Sequence, residues 1–197
     1  MNKVHRIYVE KKKEYAVEAK ELLHNLQTQL KLNNLKNVKV VNRYDVEGIN
    51  EAYLNEGISI ILSEPMVDNV FIENYEFNNM ELVFGIEYLP GQYDQRADAC
   101  EQCFQLLTGE KSVIVKCAKI IELIGDLSSS DVEKVKKYLI NPVDQRLASL
   151  DKPECLTSAK VDIDKVPVVD GFIDFNKDEL IKYLSDNSMA MNYDDLL

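Results

Sequence analysis

An α+β fold made of two repeated β-α-β-α units is what this sequence predicts, and three observations carry the prediction. A short strand signal runs into a helical one twice, at Arg6 to Lys11 followed by Glu14 to Leu30, and at Leu82 to Tyr88 followed by Asp94 to Leu107. Each half closes on a proline, Glu64-Pro65 and Asn141-Pro142, whose ring cannot continue a helix. The spacing is 58 positions from Ile7 to Pro65 and 59 from Val83 to Pro142, so the halves keep register within one residue. Units this small cannot each bury a sheet face alone, and packing about a pseudo-twofold is the expected solution. The expected boundaries are 1–150 for the duplicated domain, with repeats at about 1–79 and 80–150, and 151–197 for an extended connector.

In the first half, Ile7-Tyr8-Val9 is the strand core, and Ala19, Leu22, Leu23, Leu26 and Leu30 recur at helical three- and four-residue steps. Val38, Val40, Tyr44 and Val46 then alternate with Lys39, Arg43 and Asp45, the pattern of a half-buried strand that Gly48 ends. Ala52-Tyr53-Leu54 suggests a short helix, and Ile58 to Leu62 suits either a strand or a buried helical turn.

In the second half, Leu82, Phe84, Ile86 and Tyr88 share one strand face, with Glu81 and Glu87 opposite, and Pro90-Gly91 turns the chain. Asp94 is placed to cap a helix whose buried stripe is Ala97, Cys100, Cys103, Phe104 and Leu107, and Gly109 to end it. Val113 to Ile124 reads as a long strand, and Ser130-x-x-Glu133 as a capping box opening a helix with Val132, Val135, Leu139 and Ile140 inward. Beyond Leu150, Pro153, Pro167 and many aspartates interrupt any stripe until a short helix at Lys177 to Leu184. Asn192 to Leu197 has the cap and acidic first turn of a helix without a second turn, so a fragment of a longer polypeptide is expected.

A net charge of -11 argues against nucleic acid, which demands clustered Lys and Arg. No apolar run approaches the roughly 20 residues of a membrane span, and Met1 to Arg6 lacks a signal peptide's apolar stretch, so a cytoplasmic address is expected. Cys100, Cys103, Cys117 and Cys155 are expected as reduced thiols, and His5 and His24 stand far from any metal-ligand spacing.

The chemical motifs are weak. Cys100-x-x-Cys103 lies within a helix on an apolar face, which fits buried structural thiols better than a redox couple or half a zinc site. Gly109-Glu110-Lys111-Ser112 lacks the first glycine of a phosphate loop, since Phe104 stands near its place, and no dinucleotide fingerprint occurs. Asp94 and Asp98 suit a cap and a dipole partner better than an acid/base pair. No catalytic, cofactor-binding or metal-binding residue is therefore expected. Arg43, Arg96 and Arg146 lie beside turns or strand ends, where an ion pair or a partner contact would place them.

Three longer motifs contain those arginines: Asn42 to Gly48 (NRYDVEG), Glu87 to Asp98 (EYLPGQYDQRAD) and Ile140 to Arg146 (INPVDQR). In this order they resemble the N-terminal region of the large, single-chain phosphoribosylformylglycinamidine synthases of purine biosynthesis, and Met191 to Leu196 is similar to the start of that enzyme's linker domain. The resemblance covers nearly the whole chain. It implies a PurS-like domain, a pseudo-dimer of the small subunit found separately in the split enzyme, followed by the start of the linker. It also implies a role in packing between the synthetase and glutaminase domains of the same polypeptide and in shaping the ammonia path, with ATP and Mg2+ used by the full-length enzyme and no cofactor held here. The residues it offers as a domain interface are Arg43, Tyr44, Asp94, Gln95, Arg96, Asn141 and Arg146. A ligand-binding regulatory module or separate accessory subunit, and a thiol oxidoreductase on Cys100 and Cys103, are the alternatives.

Overall fold

The computed structural model describes residues 3–157 and 168–196, in two units, 1–158 and 159–197. In the first unit, strands β1 (His5–Lys11), β2 (Leu35–Glu47), β3 (Asp68–Ile72), β4 (Val83–Tyr88), β5 (Ile114–Gly125) and β6 (Gln145–Ala148) form one sheet in the order β3-β1-β2-β5-β4-β6. Every pairing is antiparallel. Helices α1 (Val17–Gln29), α2 (Glu51–Gly57), α3 (Gln95–Thr108) and α4 (Ser129–Leu139) connect the strands. The fold is thus mixed α/β, and β2 and β5, the two longest strands, pair at its centre from Leu35↔Gly125 to Glu47↔Ile114.

One face of the sheet carries the core that the apolar periodicity announces. Leu26 of α1 and Val132 and Val135 of α4 pack with Val38, Val40, Phe84, Ile121 and Leu123. Phe104 of α3 and Leu54 of α2 pack with Ile7, Tyr44, Val46 and Val115. Asp94 caps α3 by accepting from the backbone N–H groups of Arg96 and Ala97, and Gly109 ends it in the left-handed conformation (φ 74°) that a side chain would strain.

Several expectations are corrected. The capping box of α4 is Ser128 with Asp131, not Ser130 with Glu133: the chain enters the helix two residues earlier, so Ser128 keeps the extended backbone a cap needs while Ser130 is already helical. Residues 51–62, by contrast, form the expected short helix, α2, and of the two alternatives for Ile58–Leu62 they take the helical turn. Each half gains a strand, β3 and β6, that the β-α-β-α pattern omits. Cys103 is exposed, outside the buried stripe that holds Ala97, Cys100 and Phe104.

The second face of the sheet is covered as well, and this overturns the reading of Arg43 and Asp45 as the solvated side of β2. They are 5% and 2% exposed. Over one half of the face, Tyr75 and Phe77 stack on Tyr8, and Asn78 donates from its backbone and side-chain nitrogens to Oε1 of the buried Glu122 at 2.6 and 2.8 Å. Over the other half lies 149–156, which includes the start, at Asp151, of the expected connector. Arg6 donates to the carbonyls of Leu150 and Asp151, Arg43 to that of Ser149, and the Leu156 N–H donates to Glu47.

In the second unit, α5 (Lys177–Asp186) begins with a capping box of Asn176 and Glu179, and Leu180 and Leu184 are its buried side chains. Phe172, Phe175 and Tyr183 form an aromatic cluster, and a final turn, α6, spans Tyr193–Leu196.

Candidate functional site

Strand β4 is shorter than the strand it joins, and the difference creates the site. Its last pair is Ile86↔Lys119, whereas β5 begins at Ile114, so the first turn-ward residues of β5 have β2 on one side and no β4 neighbour on the other. The cause is local: Pro90 offers no N–H to a ladder, Gly91 takes φ 89°, and the Gln92 N–H donates to the Leu89 carbonyl at 3.0 Å, closing a turn. The chain leaves the sheet there and enters α3 at Asp94.

Two cavities flank this turn. The first, about 480 Å³, lies between α1 and the start of α3, lined by Glu18, Asn42, Gln95, Arg96 and Lys119 among others. The second, about 440 Å³, lies between the turn and residues 149–156, with Arg43, Asp45, Lys116 and Arg146 in its wall. Glu87, Tyr88, Asp94 and Cys117 line both, so the motif Glu87 to Asp98 forms much of the partition between them.

The residues proposed from sequence take distinct places. Arg96 donates from Nη1 to the Tyr44 hydroxyl at 3.1 Å, joining α3 to the middle of the sheet. Burial raises the Tyr44 phenol above its ordinary pKa, against the opposing pull of Arg96, so the hydroxyl stays protonated. Gln95 lines the first cavity. Arg146 pairs through Nε with Glu87 Oε1 at 2.7 Å, across the β4–β6 ladder. Asn141 lines neither cavity: its side-chain oxygen accepts from the Val143 N–H and its carbonyl from the Gln145 N–H, which shapes the turn that delivers β6.

Arg43 stands in a cluster that sequence reasoning did not assemble. Arg6 takes Asp45 in a two-pronged grip, Nε to Oδ1 at 2.6 Å and Nη2 to Oδ2 at 2.9 Å. Arg43 Nε reaches Oδ2 only at 3.3 Å, outside hydrogen-bond geometry, while its Nη1 donates to the Ser149 carbonyl at 2.6 Å. Burial lowers the Arg43 pKa, with Asp45 opposing that and Arg6 reinforcing it. Arg6 was legible in principle, since Arg6, Tyr8 and Glu10 share the strand face opposite Ile7 and Val9.

Cys117 was also missed. It sits opposite Tyr44 in the β2–β5 register and packs in the same core cluster as Cys100. The Cys117 sulfur, and then Arg96, hold the Cys100 thiol below its ordinary pKa against burial, while Cys117 is pushed up by Cys100 and by burial. The neighbour of Cys100 is therefore Cys117, and the exposed Cys103 lies apart from this pair.

Among the described residues, no group of His, Cys, Asp and Glu is placed to hold a metal ion, and no helix is long and apolar enough to cross a membrane. The fold and site define a mixed α/β protein with two clefts at an interrupted sheet. No protein-family model matches the chain, and no curated protein matches it.

Proposed function

We propose that this chain is the N-terminal, PurS-like domain of a large single-chain phosphoribosylformylglycinamidine synthase, a non-catalytic cytoplasmic element that organises the glutaminase and synthetase domains and the ammonia path. One observation carries the reading: the three motifs that resemble this family are far apart in sequence and meet around the gap beside β4. Asn42 and Gln145 line the first cavity with Gln95 and Arg96, and Arg43 and Arg146 line the second with Glu87 and Asp94. The strand order adds support for a pseudo-dimer, since outward from β2 and β5 it runs β2-β1-β3 on one side and β5-β4-β6 on the other.

In this reading glutamine hydrolysis and ATP- and Mg2+-dependent activation of the formamide take place in the other domains, and this domain fixes their relative position. The test compares glutamine-dependent with ammonia-dependent turnover of formylglycinamide ribonucleotide in the full-length polypeptide, as wild type, Arg96→Ala and Arg146→Ala. Loss of glutamine-dependent turnover with retained ammonia-dependent turnover is expected. Unaltered glutamine-dependent turnover in both variants defeats the domain-organising role, and absence of the reaction in the wild-type polypeptide defeats the family reading.

The two cavities favour a second reading, a small-molecule-binding regulatory module. A saturable rise in melting temperature with an amino acid or a purine nucleotide would support it.

A further inference from the structure

We infer that the second cavity is a binding site for the phosphate group of a small molecule, held by Arg43 with Lys116 and Arg146. The inference stands on the charges of this cavity and is independent of the synthase reading.

Two guanidinium groups, Arg6 and Arg43, share the single carboxylate of Asp45, and Arg6 takes both of its oxygens. The trio is buried, 2%, 5% and 2% exposed for Arg6, Arg43 and Asp45, and carries one surplus positive charge. A buried cation without a full partner is costly. Three further carboxylates, Glu87, Asp94 and Asp151, share the cavity wall. Glu87 pairs with Arg146, and Glu47 accepts from the Leu156 N–H. Asp94 caps α3 with Oδ1, and Asp151 is exposed.

The surplus charge faces the cavity. Arg43 forms part of its wall, its buried Nε donates to no atom, and Nη2 has no hydrogen-bond partner among the described residues. Lys116 lies directly opposite Asp45 on β5, has no ion-pair partner among the described residues, and lines the same cavity. Arg146, paired with Glu87, enters from β6, and Lys152, paired with Glu73, from the covering segment. Cations from three strands surround the space. Guanidinium forks match phosphate oxygens well, and an ammonium beside them adds a point charge suited to an anion of nearly two negative charges.

The experiment titrates the 197-residue chain with inorganic phosphate at constant ionic strength, read by calorimetry and by 31P line broadening. Saturable binding is expected. It should weaken about tenfold in Lys116→Ala with Arg146→Ala, both of which change exposed side chains, and vanish in Arg43→Met, with circular dichroism verifying the fold of each. No saturable binding to the wild type, or equal affinity in the double variant, overturns the assignment. Saturable binding of succinate with no response to phosphate overturns the phosphate class in favour of a carboxylate.

Discussion

Replacing Asp45 by Asn removes the only carboxylate between two buried guanidinium groups while keeping the side chain's shape. Arg6 loses two charge-assisted hydrogen bonds, at 2.6 and 2.9 Å, and Arg43 loses its 3.3 Å attraction. Breaking a buried pair from one side costs about 3–5 kcal/mol, and an amide that still accepts one hydrogen bond places Asp45→Asn near the lower limit, about 3 kcal/mol. With a urea slope of about 2 kcal/mol per molar, the unfolding midpoint should fall by roughly 1.5 M. Arg43→Met is the informative contrast. It removes the surplus cation, leaves Arg6 and Asp45 as a neutral pair, and forfeits chiefly the hydrogen bond to the Ser149 carbonyl, a loss of about 1 kcal/mol. Urea unfolding followed by circular dichroism measures both. Equal midpoints for the two variants would refute the claim that Asp45 neutralises Arg6 first and leaves Arg43 in excess.

Gly57→Ala should destabilise the protein although it places a better helix former in α2, because the added Cβ would stand 2.1 Å from Phe104 Cε1. The overpacking cost of about 1–3 kcal/mol exceeds a propensity gain of about 1 kcal/mol, and a raised midpoint in urea would show the contact to be soft. Burial first, then the positive charge of Lys3, lowers the His5 pKa below 6.5. The unfolded chain therefore takes up a proton at a pH where the native protein does not, so stability is full above about 6.5 and declines as pH falls below it. Unfolding free energies across that window should show a shallower decline in His5→Gln than in the wild type, and parallel curves would contradict the shift. Of the four thiols, Cys103 and Cys155 are exposed while Cys100 is buried and Cys117 half-buried. Ellman's reagent should accordingly titrate two thiols quickly in the folded protein and all four in denaturant, and fast reaction of Cys100 would revive the thiol oxidoreductase.

Much of the helical face was legible because its elements repeat apolar residues at a fixed period. Leu26 and Phe104 are fully buried, as their places in the two stripes require, and Asp94 and Gly109 bound α3 as a cap and a left-handed end should. Strands β3 and β6 were not legible. They are edge strands of five and four residues, each with a neighbour on one side only, and the alternation that marks longer strands has no length in which to appear. The opposite face misled for a different reason. Charged residues on alternate positions ordinarily face water, and nothing local reveals that Arg6, Arg43 and Glu122 meet partners from residues 73–79 and 149–156.

The candidate site shows the same boundary between local and distant information. The Pro90-Gly91 turn and the Asp94 cap are local, and together they say that the chain leaves a strand and enters a helix. They do not say that β5 runs on beyond the departure point, which depends on β2, a pairing partner more than sixty residues away in sequence. The gap left beside β5 brings Arg43, Arg96 and Arg146, each read singly as a surface cation, to one interrupted edge of the sheet. Their surroundings then separate them: Arg146 has Glu87, Arg96 has the Tyr44 hydroxyl, and Arg43 has half of a carboxylate already held by Arg6. Arg43 is the most buried of the three, and a buried guanidinium that shares its one carboxylate with Arg6 marks the second cavity as a place where an anion would complete the structure.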